Sequence, residues 1–129
     1  MRHSILAALV GLLVVLAGCV SAPPDATQSQ ALTQAIPSDY KAQIKERLKT
    51  TLVDPYSLRD IEMTAPQAIP IFGGTAPGVC LRFNPKNNYG AYNGMESYII
   101  YFVDGKMRII DHPKLTVCGP WRPAPELAG

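Results

Sequence analysis

An apolar run from Ile5 to Leu16, closed by Leu16-Ala17-Gly18-Cys19, constrains this chain more than any other feature. It follows a short basic start, Met1-Arg2-His3-Ser4, and so has the n-region, h-region and small-residue cleavage site of a secretory signal. At about 12 residues the run falls short of a membrane span, which needs about 20. Cleavage before Cys19 removes residues 1–18 and leaves 111 of the 129 residues, enough for one small domain and not two. Arg2 leaves with the signal, so eleven of the chain's 12 Lys and Arg face 10 Asp and Glu. A chain so nearly neutral has no basic stripe, and a nucleic-acid partner is not expected.

Leu-Ala-Gly-Cys directly behind the apolar run, with a polar Ser/Pro/Asp/Gln stretch after it, resembles the lipobox of bacterial lipoproteins. The resemblance implies that the Cys19 thiol carries diacylglycerol, that the signal is cut before it, and that the new amine is acylated. Each buried CH₂ contributes about 0.8 kcal/mol and two membrane signals suffice for stable anchoring, so three acyl chains hold a protein firmly. Val20 after the cysteine, rather than Asp, resembles lipoproteins sorted to the outer membrane of Gram-negative cells. That implies the periplasmic face of this membrane, with the inner membrane as second choice. No cofactor is expected beyond the covalent lipid. With Cys19 taken, Cys80 and Cys118 remain in an oxidising compartment, where two thiols read as a disulfide. Two buried reduced thiols are the alternative.

Val20 to Ile36 is rich in Ala, Ser, Gln, Thr and Pro without apolar periodicity, so residues 19–36 are expected to form the lipidated cysteine and a flexible tether. Its reach would be roughly 20–25 Å. The domain is expected over 37–122. Ser38 suits a helix N-cap, and Tyr40, Ile44, Leu48 and Leu52 recur at four-residue spacing as an apolar stripe. Asp54-Pro55 ends that helix. Leu58–Thr64 alternates loosely as a strand, and Pro66 to Pro77 reads as a loop. Val79, Leu81 and Phe83 then mark a half-buried strand, and Tyr98–Val103 a central one. Asp104-Gly105 is a hairpin turn leading into Lys106–Asp111. The expectation is an α+β domain: one N-terminal helix packed on an antiparallel sheet of 3–4 strands, with one disulfide and a disordered tail over 123–129.

Catalytic chemistry finds little support. His3 is lost with the signal, and His112 stands alone in a surface turn, Asp111-His112-Pro113. No cysteine pair has redox or zinc spacing, and no histidine cluster suggests a metal. Asp54, Asp60, Glu62, Glu96, Asp104 and Asp111 include no pair whose separation sequence can establish, as a glycan hydrolase would need. The densest unusual segment is Asn84-Pro85-Lys86-Asn87-Asn88-Tyr89-Gly90-Ala91-Tyr92-Asn93-Gly94. Amides and glycines serve turning, whereas Tyr89 and Tyr92 are not needed for it. Amphipathic aromatics beside amides suit a binding surface for an envelope protein or a glycan; the alternative is that both rings fold back on the sheet. The candidate contact residues are Arg82, Lys86, Asn87, Asn88, Tyr89 and Tyr92.

Two segments, Leu52-Val53-Asp54-Pro55-Tyr56-Ser57-Leu58-Arg59 and Val79-Cys80 with Asn84, Lys86-Asn87, Tyr89-Gly90, Tyr92 and Gly94, resemble a group of small exported bacterial proteins. These carry an Asp-Pro-x-Ser step after a helix and an N-x-KN-x-YG-x-Y-x-G segment. Ala91 stands where the pattern usually has a second glycine, and Pro85 precedes the lysine. The resemblance implies a grouping and no activity. The expected function is a lipid-anchored, non-enzymatic binding or accessory module of the cell envelope, not an enzyme; the alternative is a small cell-wall glycan hydrolase or an inhibitor of one.

Overall fold

The four-residue stripe forms helix α2, Tyr40–Thr51, in the computed structural model, which describes residues 26–111 and 117–129. Ile44 and Leu48 are buried, and Tyr40 and Leu52 pack against the same core. Ser38 is not the cap. It lies in the preceding turn, and Asp39 takes the N-cap position, its carboxylate accepting Gln43 Nε2 at 2.9 Å. The signal, Cys19 and His112 fall outside the described residues, as do residues 112–116.

Ahead of α2 runs a helix that the composition did not announce, α1 over Ala26–Ala35. Part of the expected tether is thus helical. Ala, Leu and Gln are good helix formers even where no apolar stripe marks them. The helix lies against the β-hairpin described next, and Ile36 after it is 5 % exposed in the main core.

The sheet has six antiparallel strands rather than three or four: β1 Arg59–Thr64, β2 Gln67–Ile71, β3 Gly74–Asn84, β4 Glu96–Val103, β5 Lys106–Asp111 and β6 Trp121–Pro123. The path runs β5-β4-β3-β1-β6, and β2 pairs with β3 alone. The fold is α+β, and the helix packed on the core is the second one. The loop expected over Pro66–Pro77 is instead the hairpin β2–β3, turning at Phe72-Gly73 with Gly73 at φ 86. Prolines are tolerated here because β2 is an edge, so Pro70 has no second neighbour, and β4 stops pairing β3 at Gly78, one residue after Pro77. Asp104 and Gly105, at φ 51 and 71, make the expected β4–β5 turn.

Alternation along β3 serves two cores. Val79, Leu81 and Phe83 face α2 together with Ile61, Met63, Ile100 and Phe102. Phe83 stacks on Tyr98 with ring centroids 5.2 Å apart. On the other face Cys80 packs with Ile69 and Ile99, and bonds Cys118. The Gln67 side chain reaches across to the Val117 carbonyl beside that bridge.

The tail expected to be disordered is ordered. After β6, Ala124 N–H donates to Ile61 O at 2.9 Å, and a 3₁₀ turn over Pro125–Leu127 drops Leu127, 1 % exposed, into the main core. Lys41 pairs with Glu126 at 2.8 Å across it. The prolines that suggest disorder set the extended β6 and open the 3₁₀ turn.

Antiparallel order gives this sheet two distinct ends. The Phe72-Gly73 and Asp104-Gly105 turns share one end. The connection over residues 85–95, the start of β1 and a 3₁₀ turn at Pro55–Ser57 share the other, where Gly129 N–H also meets Pro55 O at 3.2 Å.

Candidate functional site

The β3–β4 connection is a built loop. Asn87 organises it: its Oδ1 accepts the N–H groups of Tyr89 and Ala91 at 2.9 and 3.1 Å, and its N–H donates to Ala91 O at 2.8 Å. At the base, Asn84 Oδ1 accepts Gly94 N–H at 2.9 Å, and Asn93 N–H donates to Pro85 O. Lys86 and Tyr92 form an isolated antiparallel bridge that closes the ring. Asn87 is therefore spent on holding the loop, while Asn88 and Tyr89 at its tip are exposed, Tyr89 by 95 %.

Tyr92 takes the opposite role. Its hydroxyl donates to Ser57 O at 2.9 Å, and its ring lies under the Arg59 guanidinium at 4.1 Å and the Lys86 ammonium at 5.5 Å. Such cation–π contacts contribute about 0.5–1 kcal/mol each at exposed sites. Lys86 also reaches Asp54 at 3.5 Å, and the Ser57 hydroxyl donates to the same carboxylate. The Leu52–Arg59 segment and the loop, 35 positions apart at the Ser57–Tyr92 bond, thus become one surface. Around it Tyr56 and Val53 are 73 % and 63 % exposed.

Arg82, grouped with this loop in sequence, is elsewhere. It projects from the sheet face opposite α2, where it pairs with Glu62 and covers the Trp121 ring at 4.3 Å. There it lines an open depression with Asp60, Met95 and Pro123. Glu62 is accordingly half-buried and ion-paired rather than free on a strand face. Glu96 accepts the Tyr98 hydroxyl at 2.6 Å. Of the predicted contact residues, then, Lys86, Asn87, Asn88, Tyr89 and Tyr92 come together, and Arg82 does not. Arg59, Asp54, Ser57 and Tyr56 were missed. Asp54 had a sufficient local explanation as a helix stop, and nothing local signals a partner 32 positions away.

The Ser57 hydroxyl and, second to it, the Lys86 charge hold the Asp54 carboxyl below the usual carboxylate range, against partial desolvation that pushes it up. A depressed folded-state pKa means that the stabilisation is full above the unfolded value, about 4, and is lost as pH falls through the lower folded value. The Asp54 lock therefore holds at neutral pH and opens in acid. Ser57→Ala removes the largest cause, so the Asp54 carboxyl-carbon titration midpoint should rise. Lys86→Met, which removes both the charge and its hydrogen bond, should raise it too. An unchanged midpoint in Ser57→Ala would disprove the hydroxyl's role.

A groove of about 290 Å³ runs between α2 and β3–β5, lined by Ile44, Leu48, Leu52, Phe83, Tyr98 and Ile109 with Arg47 at its rim. Among the described residues no three His, Cys, Asp or Glu side chains converge, and no helix is long and apolar enough to cross a membrane. Searched against protein-family models, curated proteins and solved structures, the chain has no significant match.

Proposed function

We propose that this protein is a lipid-anchored module of the bacterial cell envelope, held through Cys19 on the periplasmic face of the outer membrane, that binds another envelope component without catalysis. The observation that carries the reading is the locked corner. Lys86, Arg59, Asp54 and Ser57 immobilise Tyr92, and with it the loop that presents Tyr89. Rigid aromatic anchors contribute most to association when their supports leave little entropy to lose. Tyr56, Asn88 and Tyr89 supply apolar area with polar ends, the chemistry that suits a protein surface or a glycan.

In this reading Tyr92 supports the loop and Tyr89 and Tyr56 make the contact, which sets where to probe. A photo-reactive residue at Tyr89 or at Tyr56, in the native cell, should give one defined protein or glycan adduct by mass spectrometry. The same residue at Lys49 on α2, which pairs with Glu46 instead, should give none. No adduct from either tyrosine would reduce the loop to a structural connection.

A further inference from the structure

We propose that the tip of the β2–β3 hairpin, with Phe72 at its apex, sits in the headgroup–acyl boundary of the membrane that holds the chain. This deepens the lipid-anchored reading and rests on it.

Four observations converge on that tip. Phe72 is fully exposed, at 107 %, and is the most exposed large apolar residue among those described. Pro70 and Gly73, Gly74 and Thr75 beside it are exposed too. A lone aromatic on a surface needs no explanation, but this one crowns a segment without charge. Residues 63–81, nineteen in a row, contain no Asp, Glu, Lys or Arg, so neither arm of the hairpin carries an ion that lipid contact would strip of water. The neighbouring β4–β5 turn at the same end offers one acid and one base, Asp104 and Lys106, and no net repulsion.

Second, the hairpin projects. β4 stops pairing β3 at Gly78, so the strand pairs from Ala68–Pro77 outward are hydrogen-bonded to no third strand, and beyond the buried Ile69–Ala76 pair the pairs Pro70–Thr75 and Ile71–Gly74 carry the turn clear of the core. From the buried Ile69–Ala76 pair to Phe72 the strand runs three residues, about 10 Å at 3.3 Å per residue. Interfacial segments enter only about 5–10 Å. Third, the base is rigid: Ile69 is fully buried, and the Cys80–Cys118 bridge packs beneath it.

Fourth, the described element nearest to Cys19 in the chain packs on this hairpin. Helix α1 lies against β2 and β3. Only seven Cα steps separate its first residue, Ala26, from Cys19, about 25 Å at full extension. The lipid thus stays within reach of the hairpin, while the corner bearing Tyr89 occupies the opposite end of the sheet. Seating the hairpin in lipid turns that corner away from the membrane.

The test uses the full chain carrying Phe72→Trp, reconstituted in phosphatidylethanolamine–phosphatidylglycerol vesicles with and without bromine on the acyl chains. The unsubstituted chain supplies the Trp121 background. Because Phe72 is exposed, its replacement should leave the unfolding midpoint unchanged, which also checks that the variant is folded. The added tryptophan should emit to the blue of a water-exposed indole and lose most of its emission to brominated chains. Val53→Trp at the other end should lose none. Water-like, unquenched emission from Trp at position 72 overturns the proposal. Flotation and intact mass report separately on the lipid at Cys19. If the lipid is absent, the anchored reading fails by itself, and quenching with vesicles in excess still decides for or against lipid contact at the tip.

Discussion

Replacing both Cys80 and Cys118 by alanine is expected to lower stability by about 4 kcal/mol, the chain-entropy value for a bridge that spans 38 positions. The cross-link closes a loop containing β4, β5 and the approach to β6, so its loss frees about two fifths of the domain in the unfolded state. Native contacts do not replace it. Ile69, Ile99 and Trp121 pack around the sulfurs, but the core on that face is small beside the one under α2. For domains whose total stability is about 5–15 kcal/mol, this is a large share. Urea unfolding of the oxidised protein and the double variant checks it. The midpoint should fall, and the slope should rise as the uncross-linked chain exposes more surface. A loss below about 1 kcal/mol would mean that the bridge constrains little the fold does not already hold.

Leu127→Ala is expected to cost about 2–5 kcal/mol, as for other buried leucines. Its side chain, 1 % exposed, is shared between α2 and the sheet, two residues before Gly129. The backbone cannot easily collapse into the vacancy, since Ala124 is bonded to Ile61 and Gly129 to Pro55 on either side. Glu126→Ala, by contrast, removes a half-exposed pair with Lys41 and should cost at most about 1 kcal/mol. Thermal unfolding of the two variants separates the readings. A disordered tail would leave both within about 0.5 kcal/mol of the parent.

These two variants mark where the sequence was legible and where it was not. The disulfide follows from counting, because once Cys19 is assigned to lipid only one pairing exists. The docked tail does not follow from anything local. Prolines at 120, 123 and 125 are what a disordered end and an edge strand have in common, and Leu127 alone has no periodicity to betray its burial. The β2–β3 hairpin was hidden in the same way. Pro66, Pro70 and Pro77 punctuate it as a loop; Pro66 lies in the bend before β2, and Pro70 and Pro77 pair because no further strand is hydrogen-bonded to them on the other side.

The loop shows the division within a single site. That Asn84–Gly94 is a shaped turn with two superfluous tyrosines is readable from residue type. Which tyrosine is held against the domain and which is left exposed is not, since both sit in similar amide- and glycine-rich surroundings. Arg59, Ser57 and Asp54 make the difference by receiving Tyr92 and Lys86 from across the sheet. Arg82 was assigned to the loop by proximity in the chain. The alternation of β3 instead turns it to the face of Trp121 and Glu62.

The sequence by itself determined what is encoded by neighbours: the stripe of α2, the Asp104-Gly105 turn, the pairing of two cysteines and the α+β class. Periodicity, turn chemistry and counting act over a few residues or need no geometry at all. Only the tertiary structure decided the six-stranded order, the burial of Ala124 and Leu127, the two cores on either face of β3 and the locking of Tyr92 under Arg59. Each of these joins segments tens of residues apart, and depends on which strands become neighbours, β1 beside β3 and β6 beside β1, which the alternation within a single strand does not say.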